Sequence, residues 1–285
     1  PLHREIALGK SMSSRLRPLA LALTAGMFAP ATVQAADLLF SPQPVASSGW
    51  IVTAPPYGTI GPSFPGSSEF SAIVLPSFTL RRVGEPKRFS SPDDGFSLPL
   101  YDTPAIRFGI AGRFRGGRYL DTDPRLFGFK DVQWAVEPGV FLEWWPLDMI
   151  RLRGELRHGV HGYHGFVGDL GLDVVSRIGP WTLAAGPRLS LGDADFAETY
   201  FGVRPFEAAI NGLVPPYKPS GGLYSVGVST ALSYDWSPEW STTVSVSYAR
   251  LVGDAADSPI VKRFGSENQF TFGASVSYSF QTSGW

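Results

Sequence analysis

From Phe270 to Phe280 every second residue is apolar: Phe270, Phe272, Ala274, Val276, Tyr278 and Phe280. The residues between them are Thr271, Gly273, Ser275, Ser277 and Ser279. A period of two held over this length belongs to a β-strand with one apolar face and one thin, polar face. The pattern recurs at 224–234, where Tyr224, Val226, Val228, Leu232 and Tyr234 alternate with Ser225, Gly227, Ser229, Ala231 and Ser233. It recurs at 240–248, at 181–191 (Trp181, Leu183, Ala185, Leu189, Leu191) and at 150–160 (Ile150, Leu152, Leu156, Val160).

A soluble sandwich also alternates, so three further features separate the two architectures. The periodic segments are about 10–14 residues long, against a usual ~5–6; ten tilted residues cross an apolar band of ~25 Å. Aromatic residues gather at segment ends (Trp144, Trp145, Trp181, Tyr234, Trp236, Trp240), where interfacial girdles form. The face opposite the apolar one carries charge: Arg107, Arg113, Arg115, Glu137, Glu143, Arg151, Arg153, Glu155, Arg157, Asp169, Asp173, Arg177 and Arg188. In a barrel that face is the lumen. The expected fold is an all-β, transmembrane, antiparallel up-and-down β-barrel.

Composition excludes several classes. Mean hydropathy is +0.02, too low for a protein of many membrane helices. There is no cysteine, hence no disulfide framework, thiolate metal site or cysteine nucleophile. Near-balanced charge, 24 basic against 25 acidic, gives no reason to expect nucleic acid. Charged residues are only 17%.

The beginning of the chain resembles an export signal. Met12 is the natural initiator; Arg15 and Arg17 form a basic region, Leu19 to Phe28 an apolar core, and Val33-Gln34-Ala35 a small-x-small cleavage site. Residues 1–35 are therefore expected to be removed after Ala35, leaving 20 basic and 24 acidic residues. Residues 36–46 are expected as a periplasmic segment, 47–280 as the barrel and 281–285 as a tail. The localisation that follows is the outer membrane of a Gram-negative bacterium.

Short and long connections alternate. Strands are expected at 47–55, 70–83, 104–115, 131–145, 149–160, 165–178, 181–191, 222–236, 240–250 and 267–280. The stretch 87–101 splits at Asp93-Asp94-Gly95, a tight-turn signal, which brings the total to about twelve. Ten is the alternative if 47–55 lies outside the barrel or plugs it. Tyr278 and Phe280 end the last strand on aromatics of the kind that barrel-insertion machinery reads. In the long loop 192–222, Pro205 to Gly212 reads as a short helix that folds inward or caps the mouth.

Three stretches resemble the MipA/OmpV family of outer-membrane proteins, the MltA-interacting proteins. They are 192–203, with Asp193, Asp195, Tyr200, Phe201 and Gly202; 250–261, with Gly253, Asp254, Asp257, Ser258 and Pro259; and 265–270, with Asn268. Loop 116–130 and the tail depart from the family pattern. The resemblance implies an outer-membrane barrel. In some members it is a scaffold joining a lytic transglycosylase to a peptidoglycan synthase, and in others an adhesin.

Lumen and loop residues suggest competing functions. Arg107, Arg113, Arg151, Arg153, Arg157, Arg177 and Arg188, with Arg115, outnumber Glu137, Glu143, Glu155, Asp169 and Asp173, so a pore would favour anionic solutes; alternatively these charges pair and fill the lumen. Loops 116–130 and 192–222 would serve an adhesin or receptor. A scaffold is the first expectation, a passive anionic pore the second, an adhesin the third. Expected contacts are outer-membrane lipid and lipopolysaccharide, the insertion machinery and, by resemblance, the two peptidoglycan enzymes. No enzyme activity or cofactor is expected. Asp254 with Asp257 offers too few ligands for Ca²⁺. His158, His161 and His164 are read as loop histidines rather than a metal site, and nothing local marks Ser190 as a nucleophile beside His158 and Asp169.

Overall fold

The computed structural model describes residues 49–283, apart from 55, 77, 78 and 122. The expected signal at 1–35, its cleavage site and the segment 36–46 lie outside the described residues. No helix among the described residues is long and apolar enough to cross a membrane.

The strands are β1 (Gly49–Ala54), β2 (Pro56–Pro62), β3 (Phe70–Pro76), β4 (Thr79–Arg82), β5 (Phe96–Asp102), β6 (Ile106–Arg115) and β7 (Ala135–Leu147). They continue with β8 (Ile150–His158), β9 (Val160–His161), β10 (Phe166–Ile178), β11 (Trp181–Gly192), β12 (Gly222–Asp235), β13 (Trp240–Leu251) and β14 (Asn268–Ser283). Among the described residues four short α-helices lie in the long loops, α1 (Ala194–Phe201), α2 (Pro205–Asn211), α3 (Gly253–Asp257) and α4 (Pro259–Phe264), with one 3-10 turn at Pro124–Leu126.

The strands make one antiparallel sheet in the order β3-β2-β14-β13-β12-β11-β10-β8-β7-β6-β5. β1 and β2 lie along β14 in one register, Ala54 opposite Tyr278 and Tyr57 opposite Ser275, and so act as one long strand. β3 and β4 continue each other in the same way against β2 and β1. The path thus has eleven members, within one of the expected number. The odd segment is 83–95. Residues 87–92 form no strand. Pro86 and Pro92 remove two ladder donors, and Lys87 and Arg88 have no place on a lipid face.

This segment becomes an inner strap. β4 ends at Arg82, opposite Trp50, which in turn faces Thr282 at the end with the tight turns. β5 also runs toward that end, closing at Asp102 opposite Arg107. Two successive strands with the same direction require the chain to return between them, and the strap makes that return inside the sheet. Lys87 pairs with Asp235 at 2.5 Å and Arg88 donates to the Thr103 carbonyl at 2.8 Å, both at the tight-turn rim. Asp93 and Asp94 then reach arginines of the concave face. The extra crossing is why eleven wall strands still leave Gly49 and Ser283 at the same end.

The outward face is apolar, with Ile106, Phe108, Ile110, Val140, Leu142, Leu170, Val244, Val246 and Phe272 exposed. Rings gather at the tight-turn end: Trp181 against Tyr234 (4.5 Å between centroids), Tyr234 against Trp236 (4.5 Å) and Trp240 against Tyr278 (4.8 Å). Trp144 points outward as expected, but Trp145 does not join the girdle. It follows the inward parity and donates from Nε1 to Glu143 at 2.8 Å, just before a register shift that separates Trp144 from Leu147. Tyr224 also departs from the expected alternation. A register shift beside Ser190 turns its ring toward Phe196 (4.9 Å).

The principal apolar core lies in a cap over the long-loop end. Phe64, Leu126, Phe129, Tyr163, Phe196, Tyr200, Phe201, Ile260, Val261 and Phe264 pack there. The cap also links the segment before β3, at one end of the sheet path, to the loop between β6 and β7, as Arg125 donates to Ser68 (3.0 Å) and Glu69 (3.1 Å).

Candidate functional site

Period-two alternation places Arg151, Arg153, Glu155 and Arg157 of β8 on one face, inward. The same rule brings Arg107, Arg113 and Arg115 of β6, Glu137 and Glu143 of β7, Asp169 and Asp173 of β10 and Arg188 of β11 to it. Register decides the pairing: Glu143 lies opposite both Arg107 and Arg153, and Arg151 opposite Asp173.

Each carboxylate collects several donors. Glu143, fully buried, accepts from Arg151 Nη2 at 2.9 Å and Nε at 3.1 Å and from Arg153 at 3.2 Å, with Arg107 at 3.4 Å. Glu137, also fully buried, accepts from Arg115, from Arg157 at 3.1 Å and from the Tyr163 hydroxyl at 2.7 Å. Glu155 accepts from Arg153 at 2.9 Å and from Arg157. Asp169 accepts from Arg113 at 3.2 Å, from Ser190 at 2.5 Å and from Arg157. Asp173 bridges Arg151 (2.8 Å) and Arg188 (2.6 Å). Burying so many ions is costly, and the cost is offset only where every charge has partners of good geometry.

The strap completes this network. Asp94 accepts from Arg151 at 2.5 Å and lies 3.4 Å from Arg153; Asp93 pairs with Arg188 at 2.5 Å. Arg177 stays outside, at the tight-turn rim, where it donates to the Asp148 carbonyl at 3.3 Å and lies over the Trp145 ring. With Arg177 removed and Asp93 and Asp94 added, seven guanidinium groups meet seven inward carboxylates, with Asp102 beside Arg107 at the rim (3.4 Å), and the inward arginine excess disappears. Sequence reasoning reads Asp93-Asp94-Gly95 as a turn and misses both acids. Their proximity to an arginine-rich set of strands is the available signal.

The rest of the inner wall is small and hydroxylic, including Ser225, Ser229, Ser241, Ser275 and Ser277. Between it and the charged half lies a cavity of about 180 Å³, lined by Asp93, Arg113, Arg188, Ser190, Ser225 and Ser247 among others.

The loop motifs build the cap. Asp193 caps α1, accepting from the Phe196 amide at 2.9 Å and from the Phe166 amide at 2.6 Å. Asp195 lies in the first turn, where a negative charge suits the helix dipole. Tyr200 and Phe201 are fully buried. Burial holds the Tyr200 phenol up to about 12. At Gly202 a Cβ would lie 2.4 Å from the Glu198 carbonyl oxygen. Gly253 opens α3 with φ +55°. Asp254 accepts from the Ser220 amide at 2.6 Å and hydroxyl at 2.7 Å. Ser258 donates to the Phe201 carbonyl at 2.7 Å, joining two of the motifs, and Pro259 begins α4. Asn268 accepts from the Tyr248 hydroxyl at 2.7 Å. Asp257 pairs instead with Lys262, so it and Asp254 serve different partners. The expected helix at 205–212 is α2, ended by Gly212 at φ +72°; α1, α3 and α4 were hidden by turn-forming residues.

The other sequence candidates separate. His161 donates from Nδ1 to the Trp134 carbonyl at 2.9 Å and stacks on its ring, while His158 packs edge-on against Phe166. Among the described residues no group of His, Asp or Glu is placed to hold a metal ion. Ser190 meets Asp169, but the contacts of His158 are on the opposite face. Tyr278 and Phe280 both lie outward in the girdle, 6.2 Å apart.

Comparison with known proteins places this architecture. The family model described as MltA-interacting protein MipA matches residues 57–280. The outer membrane protein Omp26La of Vibrio anguillarum is 31% identical over 147 residues, 51% of each chain. Outer membrane protein OmpV of Vibrio cholerae is 31% identical with the same coverage. The chain thus spans about half the length of the curated relatives it matches. Among solved structures, the COG4313 outer membrane channel from Pseudomonas putida F1 aligns over 82% of this chain and 96% of that one, at 11% identity and a TM-score of 0.42.

The molecule is an outer-membrane β-barrel protein. It belongs to the MltA-interacting protein MipA family.

Proposed function

We propose that the protein is a barrel with a filled lumen that anchors peptidoglycan-remodelling enzymes at the outer membrane. The observation that carries this reading is the filled interior: seven paired arginines, an inner strap across them and an apolar cap above. Such an interior suits a structural element better than a passive route for anionic solutes. The family's name, that of a protein interacting with MltA, supports a lytic transglycosylase as partner; a peptidoglycan synthase is the second member of the proposed assembly. Short turns face the periplasm in barrels with this loop asymmetry, so the contact falls on the tight-turn rim.

The test uses the detergent-purified protein. Immobilised, it should retain a lytic transglycosylase from solubilised envelope fractions, and in planar bilayers it should give no discrete conductance steps. Failure to retain any peptidoglycan enzyme, or anion-selective steps, overturns the reading in favour of the pore.

A second reading, surface adhesion, has one observation in its favour. Phe127, Phe206, Ile210 and Leu213 are each more than half exposed on the cap, and Asn211 donates to the Phe127 carbonyl at 2.7 Å, which holds them together. An exposed apolar group of this kind marks contact surfaces. Substituting all four with serine should abolish binding to host cells if adhesion is the function, and leave enzyme retention unchanged.

A further inference from the structure

The strap meets the wall through carboxylates. Asp93 is held by the fork of Arg188 and Asp94 by single contacts from Arg151 and Arg153, while the strap's backbone adds no rung to the sheet. Its other ties are the buried Phe89 ring against Val175 and Ala184, bonds from Arg188 to the Ser91 hydroxyl (3.0 Å) and from Arg113 to the Asp93 carbonyl (2.8 Å), and the rim contacts of Lys87 and Arg88, whose ion pairs with Asp235 and Asp102 are partly exposed and screened by water and salt. It begins at Gly84, with φ +90° and open space around it. Without the strap, seven arginines face five inward carboxylates and Asp102 at the rim beside Arg107, an excess of one positive charge. Beside the same residues lies the 180 Å³ cavity, room for about six waters.

We propose that Arg151, Arg153 and Arg188 form an anion-binding site in the lumen, that its resident ligand is the chain's own Asp93–Asp94 pair, and that a small dianion bearing phosphate or carboxylate oxygens replaces the pair when the strap withdraws. Guanidinium forks recognise both groups by the same bidentate geometry. The rim ties lie at the tight-turn end, so the site opens toward the periplasm. The inference does not rest on the scaffold reading, and its test involves no partner enzyme.

The experiment is calorimetric titration of the detergent-purified protein with inorganic phosphate and, separately, succinate at constant ionic strength. The Asp93→Asn/Asp94→Asn variant keeps the strap's shape and removes its charge. It should bind one dianion at least about tenfold more tightly than the native chain, and adding Arg188→Gln should remove the gain. A preference for phosphate over succinate, or the reverse, assigns the ligand class. If the double variant does not fold, Lys87→Ala/Arg88→Ala frees the rim with the carboxylates intact and should raise phosphate affinity while exposing 83–95 to protease. The proposal is overturned if no folded variant binds either dianion more tightly than the native chain, or if the gain survives Arg188→Gln.

Discussion

Arg151 Nη2 and Asp94 Oδ2 are 2.5 Å apart in space and 57 residues apart in the chain. This pair joins the strap to the wall, and Arg151 also serves Glu143 and Asp173. Arg151→Met should therefore leave three buried carboxylates short of a partner and cost about 3–5 kcal/mol. Loss of the heat-resistant folded band on semi-native gels, with urea unfolding in micelles, measures it. In Arg151→Met/Asp94→Asn the two effects should be non-additive by about 0.5–3 kcal/mol.

Phe196 is fully buried at the centre of the cap, against Tyr163 (5.4 Å), Tyr200 (5.1 Å) and Tyr224 (4.9 Å). Phe196→Ala should destabilise the cap by about 3–5 kcal/mol. The expected sign is rapid proteolysis within 192–222 with the far-ultraviolet β signal retained. A sheet lost together with the cap would show that the two do not unfold separately.

Asp193 accepts two backbone amides, one at the start of α1 and one at the start of β10. Asp193→Ala should cost about 1–2 kcal/mol, and Asp193→Asn less, because the amide oxygen still accepts. Faster hydrogen exchange at both Phe196 and Phe166 in the alanine variant is the check; acceleration at only one would show that the bridge is not shared.

The two bonds from Ser220 hold the Asp254 carboxyl below its ordinary range. A depressed folded value means that the contact stabilises above the unfolded carboxylate value, near ~3.9, and is lost as pH falls through the folded one. Protection of the Ser220 amide should be intact at neutral pH and fall in acid, below about pH 4. In Asp254→Asn it should no longer depend on pH over that range.

Much of the wall was legible because its signal is local. Alternation along 150–160 and 270–280 assigns lipid and lumen faces residue by residue, and β6, β7, β8, β10, β11, β12, β13 and β14 all follow it. The acids and arginines of the strands were legible for the same reason, apart from Arg177, whose parity is inward but whose position is at the rim; Asp93 and Asp94, which lie off the sheet, were not. Trp145 escaped because its place at a strand end suggested the girdle although its parity is inward, and Tyr224 because a register shift, set by pairing with a neighbouring strand, redirects a side chain that its own segment points elsewhere.

The sequence by itself determined that the chain forms long two-faced strands, which face meets lipid, and that charge gathers on the other. Tertiary structure alone decided that Asp93 and Asp94 leave an apparent turn to neutralise the lumen, that the wall has eleven members and an inner strap, and that the loop motifs condense into an apolar cap. The physical reason is range. A strand's period is written in neighbouring residues, whereas an ion pair between Asp94 and Arg151, or a bond from Ser258 to Phe201, exists only after the sheet has curled and brought distant segments to the same place.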